Sequence, residues 1–401
     1  MLKIYLGFAI ILLGMILQAQ SNEYNREIND SSKINQPEVK ANLRIGGYGE
    51  VHFNQPFSSK IRQNGALDVH RLVMLMEYGF NSRARFISEI EFEHVKEVFV
   101  EQAYLQYKLN KYIQFHAGLL LIPMGIINGS HEPVSFNGVE RPMIDQKISP
   151  STWREAGLGI SGTVLPIKMK YQLYLVNGFN GYDGTPHLNG KDGLRGGRQK
   201  AAESFISSPD LASRIEYFGI GGFNLGLSGY FGKTESSMYN GIDKADLSTI
   251  ERADSSVVGI SMFGLDARFS RHAFQCKTQL YYISLSNTEQ YNVFTAISGI
   301  PNNLGSSMTG YYVEAGYNLF HSFKNIKSEL IPFIRFEEYN TQFTVSQGIL
   351  KNKNFNATII TPGVSLKLTS EAVLKADIQF LKTAADPDFL KVLNTGIAVN
   401  F

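Results

Sequence analysis

The chain has 401 residues, of which 43% are hydrophobic, 12% are aromatic and 37 are glycine. Its formal net charge at pH 7 is only +2, so no overall field would attract nucleic acid, and we expect no nucleic-acid partner. The single cysteine, Cys276, excludes an internal disulfide and a cysteine metal cluster, and we interpret it as a small residue on a strand.

Residues 1–20 have the features of a secretory signal peptide. Lys3 supplies a positive charge, Ile4 to Leu17 form an apolar stretch, and residues 17–19 offer a cleavage site. The alternative, a single transmembrane helix, needs about 20 apolar residues, which this stretch does not reach. Residues 21–41 are rich in Asn, Ser, Glu and Lys, which predicts a disordered periplasmic lead-in.

From residue 42 to residue 401, apolar and polar residues alternate with a period of two, which predicts β-strands. In the segment 84–94, for example, Phe86 and Ile90 alternate with Glu89 and Glu91. The alternation predicts sixteen strands, near 42–53, 66–80, 84–94, 98–108, 112–122, 153–164, 167–177, 211–219, 222–234, 256–270, 273–285, 309–320, 327–340, 356–368, 372–382 and 393–401.

The predicted connections alternate between tight turns and long segments, as in outer-membrane barrels. The connection at 95–97 departs from this rule, because it is short where a long loop is expected. The long segments are 123–152, 178–210, 235–255, 286–308 and 341–355.

A sheet can span a membrane only if it closes on itself, because hydrocarbon offers no partner for unpaired backbone groups. The sequence therefore predicts an all-β fold, a transmembrane antiparallel barrel of sixteen strands over residues 42–401, with both termini periplasmic. The final strand ends on Phe401, similar to the terminal signal of bacterial outer-membrane barrels. Outer-membrane lipid is the expected surrounding, and the outer membrane of a Gram-negative bacterium the expected location.

No pattern in the sequence supports catalysis, a cofactor or a metal ion. Gly157, Gly159 and Gly162 form a G-x-G-x-x-G pattern, but it falls inside a predicted strand and not before a helix. The Glu89, Glu91 and Glu93 series is more typical of a solvated wall than of a metal site. The eight histidines show no zinc-ligand spacing, and no nucleophile elbow occurs.

A basic cluster lies in the long connection 178–210. It has two interpretations, an ordinary solvated loop tip or a vestibule that attracts anions. Its members are Lys191, Arg195, Arg198 and Lys200.

Several motifs resemble the phosphate-selective porin O and P family. That resemblance implies a loop between strands five and six that folds into the barrel, a homotrimer, and the passage of small anions such as phosphate. The motifs are L-D-V-H-R at 67–71, S-E-I-E-F-E-H at 88–94, H-E-P at 131–133, F-N-G-V-E-R-P at 136–142 and W-R-E-A-G at 153–157.

The expected function is passive diffusion of small hydrophilic solutes through an aqueous lumen, with a weak preference for anions. Charged residues of both signs occupy the strand positions predicted to face inward, which argues against strong ion selectivity. The predicted lumen wall includes Arg44, Glu50, Glu89, Glu91, Glu93, Lys168 and Lys170. Strand parity also places inward Arg214, Arg268, Lys277, Arg335, Glu155, Glu216, Asp266, Glu314 and Glu337. The predicted constriction includes Glu132, Glu140, Arg141, Asp145, Lys147, Arg154 and Glu155.

Two alternatives remain open at this point. Glu140, Arg141 and Arg154 could pin the loop to the wall instead of facing the ion path. The barrel as a whole could serve as a surface-interaction or adhesion protein with a closed lumen. An outer-membrane enzyme, such as a lipase or protease, has no supporting motif.

Overall fold

The computed structural model describes residues 42–58, 61–130 and 132–401. The predicted signal peptide, 1–20, and the predicted lead-in, 21–41, lie outside the described residues, as does His131 of the H-E-P motif. Within the described part, no helix is both long and apolar enough to cross a bilayer.

Sixteen strands of the described chain form one closed antiparallel barrel, which confirms the predicted fold class. Each strand pairs with the next barrel strand in sequence, and β1 closes the barrel against β18. The strands are β1 (Asn42–Phe57), β2 (Ala66–Gly79), β3 (Ala84–Glu93), β4 (Glu97–Lys108), β5 (Gln114–Leu121), β6 (Arg154–Val164), β7 (Met169–Val176), β9 (Asp210–Ile220), β10 (Phe223–Lys233), β12 (Gly259–Arg271), β13 (Phe274–Ser286), β14 (Ser307–Tyr317), β15 (Glu329–Thr344), β16 (Asn356–Lys367), β17 (Ala372–Thr383) and β18 (Leu390–Asn400).

The loops contain further short elements that the sequence did not predict. Strands β8 (Asn180–Tyr182) and β11 (Glu235–Ser236) pair with each other outside the barrel. Among the described residues, three short α-helices also lie in loops: α1 (Ile144–Lys147), α2 (Leu247–Asp254) and α3 (Thr288–Phe294). Elements this short contain too few residues to establish a period, so alternation cannot reveal them.

The connections form two unlike rims, as predicted. We call the edge with the loops 58–65, 94–96, 122–153, 177–209, 234–258, 287–306, 345–355 and 384–389 the long-loop rim, and the opposite edge the short-turn rim. The three-residue connection 94–96 confirms the predicted exception. Strand β1 begins and β18 ends at the short-turn rim, where Phe401 and Gly47 exchange two backbone hydrogen bonds of 2.9 Å.

The two faces of the barrel wall have opposite polarity. Outward-facing apolar side chains such as Ile45, Leu227 and Ile397 are more than half exposed in the isolated chain. Inward-facing charged side chains such as Arg335 and Glu337 are fully buried. An apolar exterior around a charged interior suits a barrel whose outside meets hydrocarbon, and it is the reverse of a water-soluble fold.

An apolar cluster lies in the long-loop half of the barrel. Trp153 packs at tilted angles against Phe179 and Tyr230, each with ring centroids 4.6 Å away. Around them, buried side chains from the loops 122–153, 177–209 and 287–306 pack against inward-facing residues of β12 to β16. Packing of this kind fixes the loops on the barrel by the burial of apolar surface.

Candidate functional site

The loop 122–153, between β5 and β6, begins with contacts to strands distant from β5 in the sheet. The backbone N–H of Gly125 donates to Ser228 on β10 (3.2 Å), and that of Ile126 donates to Gln279 on β13 (3.0 Å). Gly125 has a φ of +69°, and a Cβ there would lie 1.7 Å from the Tyr281 hydroxyl. Glycine at this position therefore allows the loop backbone to approach the wall closely.

The middle of the loop bonds to the wall formed by β14 to β17. Backbone N–H groups of Val139 and Met143 donate to the carboxylates of Asp377 (2.7 Å) and Glu337 (2.6 Å). The ammonium of Lys375 donates to the Gly138 carbonyl at 2.9 Å. These wall charges supply the partners that an irregular buried backbone needs.

Arg335 lies at the centre of this wall. It pairs with Glu314 (3.4 Å) and Glu337 (2.8 Å), and it donates to the backbone carbonyl of Glu140 (3.2 Å). Strand parity placed Arg335, Glu314 and Glu337 on the inner face, and the structure confirms that placement. Their partners in the loop could not be read from parity.

Glu140 and Arg141 face the part of the wall formed by β1 to β4. The carboxylate of Glu140 accepts a hydrogen bond from Asn54 (2.9 Å) and lies 3.2 Å from Nδ1 of His52. Burial alone would raise the pKa of Glu140, but its contacts with His52 and Asn54 lower it to about 2. Burial lowers the pKa of Arg141, which lies near Glu50, Glu101 and Arg71. The contacts of Glu140 favour the pinning role over a place in the ion path.

The predicted lumen-wall residues on β1 to β4 form buried ion pairs. Arg71 bridges Glu50 (2.7 Å) and Glu91 (3.0 Å), and Arg154 lies 3.6 Å from Glu101. Glu89 is also buried, whereas Glu93, nearer the long-loop rim, is half-buried. Pairing offsets the cost of removing these charges from water.

Two other lumen-wall predictions have different outcomes. Arg44 faces Glu77 across the β1–β2 pair, at 4.0 Å, and remains largely exposed. The placement of Lys168 on a strand is wrong, because it lies in the turn before β7 with a φ of +53°. Because the short 3₁₀ turn at 165–167 contains a proline and is followed by Lys168, β7 begins at Met169, two residues later than predicted.

The remaining constriction candidates are spread over several contacts. Asp145 accepts a hydrogen bond from the Tyr281 hydroxyl (2.6 Å), and burial raises its pKa to about 7. Lys147 pairs with Asp192 of the next long loop at 2.8 Å. Glu155 accepts hydrogen bonds from Asn177 and from the backbone of Gln199, whereas Glu132 is exposed.

The basic cluster in the loop 177–209 also has a structural role. Arg195 and Arg198 both donate to the Ser151 carbonyl, at 3.0 and 2.7 Å, and so hold the end of the β5–β6 loop. Burial lowers the pKa of Arg198 to about 9. Lys200 lies over the Phe99 ring, and Lys191 is exposed. Arg195 and Arg198 therefore do not belong to an ordinary solvated loop tip, and the vestibule that attracts anions stays a prediction.

A cavity of about 300 Å³ lies where the loop segment 120–130 faces the wall near the short-turn rim. Its wall side is polar and carries charges of both signs. Arg214 pairs with Asp266, and Arg268 pairs with Glu216 at 2.7 Å. The sequence placed these residues inward but gave no sign of a cavity. Its wall is formed by Gln102, Tyr104, Lys170, Gln172, Tyr174, Arg214, Glu216 and Arg268.

No family model matches the chain. A protein of Aquifex aeolicus, named only as uncharacterized, is 30% identical over 361 residues, which span 86% of this chain and 77% of that protein. The chain belongs to the same family as this Aquifex aeolicus protein. The phosphate-selective porin O and P family is not confirmed as its family.

Solved structures with a similar fold are outer-membrane porins. The anion-selective porin from Comamonas acidovorans superposes with a TM-score of 0.56 at 11% identity, over 90% of this chain and all of that one. The outer membrane channel DcaP of Acinetobacter baumannii has a TM-score of 0.56 at 10% identity, covering 90% and 97% of the two chains. OmpF of Salmonella typhi, solved with daunomycin, has a TM-score of 0.54 at 12% identity, covering 91% and 100%. At these identities the likeness shows the porin barrel fold.

Proposed function

We propose that this protein is an outer-membrane channel through which small hydrophilic solutes diffuse passively. The observation that carries the proposal is the closed sixteen-stranded barrel with an apolar outer face and a charged inner face. Barrels of this size enclose an aqueous lumen, and the channels among the similar structures share the fold. Residues 1–20 would direct export, and the barrel would lie in the outer membrane of a Gram-negative bacterium as a homotrimer.

We infer that the loop 122–153 lies inside the lumen and narrows it. Its bonds reach inward-facing groups on β10, β13, β15 and β17, and β15 lies eight strands from β5, on the far side of the barrel. Most charges midway along the wall are almost inaccessible to water. We therefore expect a conductance well below that of a wide general-diffusion porin.

Selectivity in this channel should be weak, with a modest preference for anions such as phosphate. Loop charges such as Glu140 and Lys147 are paired with the wall or with a neighbouring loop, so few act on a passing ion. In the cavity near the short-turn rim, Lys170, Arg214 and Arg268 outnumber Glu216, although Asp266 pairs with Arg214. Interactions at a constriction exceed their values in bulk water, so even this small excess favours anions.

Single-channel recording of the purified protein in planar bilayers tests the proposal. We expect discrete openings of low conductance and a reversal potential, across a salt gradient, that indicates weak anion preference. A correctly folded barrel that gives no openings would contradict the channel function and favour a surface-interaction protein with a closed lumen. Strong anion selectivity with micromolar phosphate block would contradict the weak preference alone.

A further inference from the structure

Three side chains at the long-loop rim bring potential metal-binding atoms together. The Asp68 Oδ2 atom lies 3.2 Å from His70 Nδ1 and 2.6 Å from His94 Nδ1. All three donor atoms lie within 4.8 Å of one another. The side chains are 24–39% exposed, so an ion could reach them from water and keep water ligands.

The backbone of β2 and of the 94–96 connection explains this convergence. In the β1–β2 ladder, Glu50 pairs with Arg71 and Val51 with Val69, so His70 is an extra residue in a β-bulge. Bulges often re-aim a side chain, and this one turns His70 toward the interior beside Arg71. His94 and Val95 have φ values of +54° and +67°, unusual for residues with a Cβ, and this turn places His94 over Asp68.

The spacing is close to what a divalent transition metal requires. Zinc binds nitrogen and carboxylate oxygen at about 2.0–2.2 Å, and tetrahedral angles then separate the donor atoms by about 3.3 Å. The Asp68–His70 distance already fits, and the Asp68–His94 distance must open by about 0.7 Å. Two imidazoles and one carboxylate suit Zn²⁺, Cu²⁺ or Ni²⁺ better than Ca²⁺ or Mg²⁺.

Of the groups around the cluster, Glu93 would favour a bound metal and Arg71 would oppose it. His94 Nε2 lies 3.8 Å from Glu93, which could orient the ring as carboxylates do around zinc-binding histidines. His70 Nε2 accepts a hydrogen bond from Arg71 at 2.7 Å. A metal on His70 Nδ1 would leave the proton on Nε2, so this bond must break, while Arg71 keeps Glu50 and Glu91 through its other nitrogens.

We propose that Asp68, His70 and His94 form a binding site for a divalent transition metal ion at the mouth of the barrel. Metal binding would break the hydrogen bond between Arg71 and His70, and the loss of such a partner of a metal-binding histidine typically costs about 10–100-fold in metal affinity. We therefore expect micromolar rather than nanomolar binding of Zn²⁺. His52 stacks on His70 at 4.6 Å, but its nitrogens already contact Glu50 and Glu140, so it is not counted as a ligand. The competing interpretation is an Asp68 carboxylate that merely accepts hydrogen bonds from two imidazoles.

Calorimetric titration of Zn²⁺ into the tag-free, EDTA-washed barrel in detergent decides between these interpretations. We expect one bound ion per chain in the wild type and at least tenfold weaker binding in His94→Ala. The matched control is His187→Ala, which removes another histidine of the long-loop rim that pairs with a single carboxylate, Asp183, at 2.8 Å. It should leave Zn²⁺ binding unchanged.

Equal binding in the wild type and His94→Ala, or a wild type that binds no Zn²⁺ below millimolar concentrations, would overturn the proposal. If His94→Ala fails to fold by heat-modifiable gel shift, Asp68→Asn tests the site instead, since it removes the carboxylate ligand at similar shape. A second experiment adds Zn²⁺ to the long-loop side of the barrel during bilayer recording. A block of the ion current by Zn²⁺ can be seen only if the protein is a channel, so this experiment rests on the proposed function. Calorimetric binding without any channel openings would refute the channel and leave the metal site standing.

Discussion

Two parts of the inner wall bury charge in different ways. On β14 to β17, Arg335, Glu337 and Asp377 bond to one another or to the backbone of the loop 122–153. On β1 to β4, charges such as Arg71 and Glu91 pair mainly with each other. The first wall thus holds the loop through its charged side chains, whereas the charges of the second pair largely with one another and the loop contacts Asn54 and His52 of β1.

The same contrast continues toward the long-loop rim. Inward-facing residues of β13 to β16, such as Ile283, Met308 and Ile359, are fully buried under loops. On β2 and the 94–96 connection, Asp68 and His94 remain accessible to water. We therefore expect solutes to enter along β1 to β4 at this rim, where Asp68 and His94 stay accessible to water.

The largest expected effect comes from breaking the charged wall that holds the loop. Arg335→Met would leave Glu314 and Glu337 buried without their cation, which typically costs about 3–5 kcal/mol. The temperature at which the folded band disappears in a heat-modifiable gel shift should fall markedly. The control, Arg268→Met, removes a half-exposed partner of Glu216 and should change that temperature little. If the folded band of both variants disappeared at the same temperature, the distinction between the buried ion pairs that hold the loop and a half-exposed ion pair would be wrong.

The next effect concerns the apolar contacts of the same wall. Ile144 in α1 is fully buried and lies against Gly310 on β14, so Ile144→Ala should weaken docking of the loop by about 2–4 kcal/mol. Undocking of the loop would expose the peptide bond after Lys147 to trypsin. The rate of cleavage at that bond therefore measures how often the loop undocks. Ile300→Ala, at a side chain that is 72% exposed, serves as the matched control and should leave the rate unchanged.

Docking of the loop 122–153 on this wall should depend on pH because of Asp145, which is a residue of the loop. Its pKa in the docked loop is about 7, above the ordinary 3.8, because burial favours the neutral carboxyl. The equilibrium constant for docking should therefore fall as the pH rises from about 4 to about 7, by at most about tenfold per pH unit. Above about pH 7 it should stay constant. Acrylamide quenching of Trp153, the single tryptophan, reports undocking. Asp145→Asn keeps the shape of the neutral acid and should remove the pH dependence, so a wild type that is equally flat would contradict the assignment.

The sequence predicted the barrel well, because alternation reports which face of a strand meets lipid. The sixteen strands and the inward placement of Arg335, Glu314 and Glu337 were all correct. The Gly157–Gly162 pattern lies within β6 and Cys276 on β13, as expected. Periodicity acts over one strand at a time, and each of these features depends on one strand alone.

The candidate site was only partly predictable. Partners such as Arg198 with Ser151, or Val139 with Asp377, join segments far apart in sequence and depend on irregular loop backbone. The cluster of Asp68, His70 and His94 was missed because a bulge and a left-handed turn, not a fixed spacing, bring it together. A bulge leaves only a one-residue break in the alternation, which the D-V-H-R segment does contain.

The smallest expected effect tests where solutes travel. Glu93 is half-exposed on the wall formed by β1 to β4, so Glu93→Gln should shift selectivity toward anions. A unit charge about 8 Å from a passing ion in water is worth roughly 0.5 kcal/mol, with opposite sign for an anion and a cation. Its removal should therefore change the anion-to-cation permeability ratio by about fivefold before screening and by less in salt. The reversal potential across a potassium chloride gradient measures this ratio, with EDTA present to remove metal ions. The control, Glu338→Gln, removes a carboxylate on the outer face of β15, where it accepts from Tyr311, and should not shift the potential. If both variants behave as wild type, ions do not pass along β1 to β4, and the path must lie elsewhere in the lumen.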